Sequence, residues 1–72
     1  MTRPAVVTVT ASTGHRITVD PSWSGEWRVS LEGDLETMPD VPDAEINAAC
    51  AAAGVRCRNE WRETWSPCEV LP

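Results

Sequence analysis

The sequence predicts a small α+β domain: an antiparallel sheet in the order β-β-β-α-β, with one helix packed on one face. Three observations carry this. Segments of alternating, β-branched character fill the chain as far as Glu32, an Ala-rich stretch of helical period follows Pro42, and strand-like alternation resumes after Gly54. The length of 72 residues allows one domain, covering residues 1–72.

The segment Ala5 to Ala11, AVVTVTA, reads as the first strand, with Val7 and Val9 on one face and Val6, Thr8 and Thr10 on the other. Ser12, Thr13 and Gly14 supply turn chemistry. From His15 to Asp20 the alternation resumes with Ile17 and Val19 inward, completing a hairpin. Pro21, Ser22, Ser24 and Gly25 break the chain, and a third strand follows in which Trp27, Val29 and Leu31 share a face. Gly33 marks a bulge or the strand's end, and the segment to Pro42 reads as loop. Asp43 is the expected N-cap, Glu45 lies in the first turn, and Ile46, Ala49, Cys50 and Ala53 fall at helical spacing before a Gly54 stop. Val55 and Cys57 then alternate with Arg56 and Arg58 as a strand. Trp61 to Trp65 reads as a turn, a further strand or both. A hairpin centred on Arg62 and Glu63 would set Cys57 opposite Cys68 and Val55 opposite Val70, a register that allows a disulfide under oxidation.

Composition narrows the function classes. Leu, Ile and Val make up 13 of 72 residues and Phe is absent, a balance that alone would favour disorder. Four Trp and the regular alternation argue for a folded domain of modest stability. The chain lacks an apolar run long enough for a membrane helix, and its start lacks a signal-peptide layout, so a soluble, unexported protein is expected. A net charge of −5 opposes direct contact with nucleic acid or anionic membrane and favours a basic partner surface.

Neither catalysis nor a cofactor is expected. His15 is the lone histidine, placed beside a turn and read as exposed or at the edge of the core; no glycine-rich phosphate loop occurs, and the many carboxylates sit in hydrophilic surroundings. Cys50, Cys57 and Cys68 have spacings foreign to paired zinc patterns, so no metal is expected and reduced thiols are the default, with Cys50 in the core.

The informative feature is the distribution of acid. Glu32, Asp34, Glu36, Asp40, Asp43 and Glu45 lie between Leu31 and Ile46, and no basic residue occurs between Arg28 and Arg56. If the chain stays extended through Gly33, the carboxylates of Glu32, Asp34 and Glu36 form one row at ~6.8 Å intervals, a decoy for an Arg- and Lys-lined nucleic-acid channel. The alternative is a solvated, solubilising surface. Trp27 belongs to the core by parity. Trp23, Trp61 and Trp65 are divided between core-edge packing and partner contact, because so small a domain does not easily bury four indoles.

The opening MTRPAVVTVTAS resembles the N-terminus of phage-encoded anti-CRISPR inhibitors of type I-F interference, through Arg3, Pro4 and Val6 to Thr10. Beyond these residues the likeness is one of layout: turn, second strand, third strand, Ala-rich helix and further β-structure. The resemblance implies a monomeric inhibitor acting in the host bacterial cytoplasm. Its target would be a Cas subunit of a type I Cascade complex, foremost the large subunit that recognises the PAM, and its effect would be to block target DNA. No functional residue is carried over from the family, so the candidate partner-binding residues remain the six acidic residues with Trp23, Trp61 and Trp65. Two other classes share part of this logic: an anti-restriction DNA-mimic decoy, and an antitoxin-like accessory protein.

Overall fold

The computed structural model describes residues 5–72. Arg3 and Pro4, which carry part of the family resemblance, lie outside them. The fold is α+β, with one helix on one face of a curled, five-stranded antiparallel sheet. Strands β1 (Val7–Thr10), β2 (Arg16–Pro21) and β3 (Trp27–Glu32) form a meander. Its register aligns Val7, Val19 and Val29 in one cross-strand row and Val9, Ile17 and Leu31 in the next. Period-two parity therefore sends all six to one face, where Ile17, Val19 and Val29 are fully buried and Val7 and Trp27 pack against the cluster's edge. The first strand is shorter than Ala5–Ala11. Ala11 leaves the ladder to enter the core and closes the turn through bonds with His15 and Gly14.

Helix α1 (Asp43–Ala53) lies across this face and buries Ile46, Ala49, Cys50 and Ala53, the stripe expected from spacing. Small side chains let the helix axis come close to the sheet. Its start differs from expectation, because Pro42 and not Asp43 occupies the N-cap. The proline's fixed φ holds the chain extended up to the helix, and its carbonyl takes the first bonds, from the amides of Glu45 and Ile46. Asp43 thus stands inside the first turn, where it favours the helix through the dipole. Gly54 ends the helix in the left-handed region at φ 84.

The C-terminal segment forms two strands, β4 (Val55–Cys57) and β5 (Trp65–Val70), paired with Val55 opposite Val70 and Cys57 opposite Cys68 as the hairpin reading expected. The tip is displaced from the centre at Arg62 and Glu63. Arg62 and Trp65 close a turn around Glu63 and Thr64, with Asn59 and Glu63 both at positive φ, so the arm between Cys57 and the tip is irregular. Strand β5 also pairs with β3, giving the order β1-β2-β3-β5-β4. Among the described residues no helix is long and apolar enough to cross a membrane.

The buried rows make the meander the stability-determining element. Ile17→Ala, at a fully buried position, is expected to lower unfolding free energy by ~2–5 kcal/mol. That is a large part of the roughly 4–11 kcal/mol expected for a chain of this size. Val70→Thr, half-exposed on β5, should shift it by less than about 1 kcal/mol. Urea unfolding of both variants checks the ranking.

Candidate protein-binding site

The segment between β3 and α1 is shaped by a buried histidine. His15 begins the inward parity of β2 and is 3% exposed. Its Nε2 lies 2.9 Å from the Asp34 carbonyl oxygen and its Nδ1 2.7 Å from Thr13 Oγ1. A carbonyl can only accept, so Nε2 carries a proton and donates to Asp34. Thr37 Oγ1 is 3.2 Å from the same nitrogen. One imidazole thus ties the β1–β2 turn to the acidic loop. Gly33 is what lets the loop pass over it: φ is +144, and a Cβ there would stand 2.6 Å from His15 Cδ2.

This geometry overturns the extended row. The strand ends at Glu32, Gly33 turns the chain, and the Asp34 side chain accepts the Glu36 amide at 3.0 Å to form a local turn. Glu32, Asp34 and Glu36 therefore do not project as one evenly spaced line. The six carboxylates have separate fates. Glu32 lies 3.8 Å from Arg16 in an exposed pair, and Asp34 is spent on its turn. Glu45 reaches back to the β1–β2 turn, accepting the Ser12 amide at 2.7 Å and the Ser12 hydroxyl at 2.6 Å. Those bonds, the hydroxyl's first, hold its carboxyl below the usual range. Glu36, Asp40 and Asp43 are exposed and have no salt-bridge partner among the described residues.

A short 3₁₀ turn, Met38–Asp40, folds the loop back over the sheet and drops Val41 into the core. Between this turn, the start of α1 and the tip of the β4–β5 arm lies an apolar cleft of about 570 Å³. Leu31, Leu35, Met38, Val41, Ile46 and Trp61 form its walls, and Asp43 and Glu63 stand at its rim. Leu35 is 71% exposed and Trp61 is exposed on its open side. Leu35 and Trp61 thus leave apolar surface in water beside the carboxylates of Asp43 and Glu63.

The three candidate tryptophans do not converge. Trp61 alone joins the acidic segment. Trp23 sits at the β2–β3 turn, almost wholly exposed and a strand's length, roughly 20 Å, from the cleft. Trp65 points to the sheet's opposite face by parity, beneath the guanidinium of Arg28 at 4.0 Å from its ring centre and within 5.3 Å of Arg62. Leu35, Met38, Glu63 and His15 were not among the candidates drawn from sequence. Parity with Ile17 and Val19 would have placed His15 inward, whereas Glu63 reaches the cleft only through the β3–β5 pairing.

No protein-family model, curated protein or solved structure matches the chain. Among the described residues, no group of three or more His, Cys, Asp or Glu is placed to hold a metal ion.

Both anchors of the loop, Glu45 and Gly33, have measurable consequences. Glu45 is depressed on folding, so its contribution is complete above its ordinary value of 4.5 and is lost as pH falls through the lower folded value. Glu45→Gln should therefore lose stability relative to the parent at neutral pH and converge with it in acid; melting temperatures that stay equally separated across that range would refute the linkage. Gly33→Ala, strained in φ and clashing with the imidazole, should cost more than about 1 kcal/mol by urea unfolding.

Proposed function

We propose that this protein is an inhibitory binding module that docks on a basic, DNA-recognising surface of a partner protein. One observation carries the reading: the cleft with exposed Leu35 and Trp61 is also lined by Asp43 and Glu63, and Glu36 and Asp40 directly follow its lining residues Leu35 and Pro39 in the chain, so an apolar anchor and carboxylates occur together. Such a site fits a segment that inserts an apolar side chain or an arginine stem into the cleft while its cations meet the rim. The acidic rim steers encounter, and the cleft supplies the short-range contact that exposed charges lack.

The partner class follows from the charge and from the N-terminal resemblance together. A subunit that reads PAM duplex presents arginines and lysines to DNA, and a protein seated on them excludes the duplex. The proposed target is therefore a Cas subunit of a type I surveillance complex, foremost its large PAM-recognising subunit, in the cytoplasm of a bacterial host. Exclusion in this reading comes from occupancy of the basic surface by a compact acidic patch, and the evenly spaced row of carboxylates has no part in it.

The test is capture of purified type I-F and I-C complexes, and of their isolated large subunits, by the tagged protein at low and high salt, followed by duplex competition. Salt-sensitive capture that prevents duplex binding is expected. Changing Glu36, Asp40 and Asp43 together to Lys should weaken binding on the order of tenfold or more, mainly through slower association. Trp61→Ala should cost about 1–2 kcal/mol, mainly through faster dissociation. Undiminished duplex exclusion by the triple variant would sink the acidic-rim mechanism. Absence of capture by every complex would remove the Cas target and turn the search to restriction enzymes.

A further inference from the structure

Three cysteines come from three elements of the C-terminal half: Cys50 from α1, Cys57 from β4 and Cys68 from β5. All are free thiols. The ladder singles out one pair, for Cys57 stands directly opposite Cys68, whereas Cys50, on the helix, has no strand partner. The kind of pairing follows from the hydrogen bonds on either side. Arg58 donates its amide to the Pro67 carbonyl at 3.0 Å, and Leu71 donates to that of Gly54 at 3.1 Å. Hydrogen-bonded and non-hydrogen-bonded pairs alternate along an antiparallel ladder, so Cys57 and Cys68, next to Arg58 and Pro67, form a non-hydrogen-bonded pair. Such a site brings Cα atoms to about 4.5 Å, at the near end of the ~4.4–6.8 Å that a disulfide spans.

As cross-strand partners, the two side chains share the face that meets the helix. Cys57 is buried in the core, and Cys68 packs against it while lining a surface cleft of about 350 Å³. Each thiol is engaged along its own stretch of chain. The Cys57 sulfur accepts the Asn59 amide at 3.3 Å and its S–H faces Asn59 Oδ1 at 3.7 Å, while the Cys68 S–H faces the Ser66 carbonyl at 3.9 Å. Thiols are weak donors and acceptors, so turning each side chain toward the other gives up little.

We propose that Cys57 and Cys68 are a reversible redox clamp, closed by exchange with a low-molecular-weight disulfide. The thiolate of Cys68, the more open of the two, attacks one sulfur of that disulfide; its S–S bond breaks, one thiolate leaves, and a mixed disulfide remains on Cys68. Cys57, deprotonated, then attacks the Cys68 sulfur and expels the second thiolate. The two cysteine protons end on the two departing thiols, and the pair of electrons lost by the protein is gained by the small disulfide. Closed, the bond encloses residues 58–67, an arm that contains the positive-φ residues Asn59 and Glu63 and presents Trp61, Glu63 and Thr64 to the apolar cleft. In a reducing compartment the pair stays as two thiols and the arm lacks this restraint. Under the docking reading given above, the closed clamp pre-orders one wall of the binding cleft; the bond itself does not depend on that reading.

The folded protein is incubated with oxidised glutathione, remaining thiols are blocked with N-ethylmaleimide in urea, and the chain is cut with trypsin. Cleavage after Arg28, Arg56, Arg58 and Arg62 places the three cysteines on separate peptides. The expected product joins residues 57–58 to residues 63–72, with Cys50 blocked on residues 29–56. Oxidation carried out in urea should move product to the shorter Cys50–Cys57 loop, because chain entropy then decides the pairing. The clamped protein should melt roughly 10 °C above the reduced one, and dithiothreitol should reverse the change. A link through Cys50 in the folded protein, glutathione held on Cys68 with no internal bond, or three unreacted thiols would overturn the proposal. So would the same mixture of links with and without urea, or equal melting temperatures. Capture of a partner is compared separately for the oxidised and reduced forms; failure of both bears on the docking reading and leaves the mapped bond standing.

Discussion

Two backbone hydrogen bonds at the end of the helix hold the curled sheet in shape. The carbonyls of Ala53 and Gly54, which a helix terminus leaves without intrahelical partners, accept the amides of Ala5 at 2.9 Å and Leu71 at 3.1 Å. The first residue comes from the approach to β1, at one edge of the sheet, and the second from the end of β5, beside the other edge. Both ends of the sheet are thereby drawn to one point, and the curl this imposes lets a single helix with Ala and Cys contacts seal the whole core. In a chain with no Phe and few large aliphatic side chains, close approach replaces bulk as the source of buried area.

The opposite pole of the helix is built for a different purpose. There the chain passes from β3 through Gly33, over His15, through the 3₁₀ turn and into α1, and its polar groups are largely consumed in holding that path. Asp34 and Glu45 have structural work, and Glu32 has a cation, which leaves Glu36, Asp40 and Asp43 exposed, the last of them lining the apolar cleft. An acidic stretch that looks uniform by composition is divided by geometry into braces and free charge. The division also explains why the buried imidazole matters to the surface: it fixes the loop from which Leu35 and Met38 are presented.

How much of this was legible in the sequence depended on the range of the interactions concerned. The meander, the inward faces of β2 and β3, the buried stripe of α1 and the Gly54 stop all follow from local periodicity and glycine chemistry, and the structure agrees with each. The β4–β5 register was also readable, since a hairpin needs only a centre of symmetry. The insertion of β5 between β3 and β4 was not, because strands remote in sequence carry no local signal of their partner. The site suffered for the same reason: Glu63 and Trp61 join the acidic loop only across that pairing. The row of three carboxylates failed at one residue, Gly33, which turns the chain at positive φ and lacks the Cβ that would collide with an imidazole 18 positions earlier. The N-cap shifted because Pro42 had already aligned the first acceptor for the helix.

The seam at Ala53 and Gly54 has a practical corollary. Ala5 and Leu71 bond to consecutive carbonyls, so the two ends of the described chain emerge side by side, a helix length away from the cleft at the start of α1. A fusion partner or surface tether joined beside Leu71 starts from the far pole, away from the cleft. The same proximity suits the domain to circular permutation, with a short linker bridging the present ends and new ends opened at the exposed β2–β3 turn around Trp23.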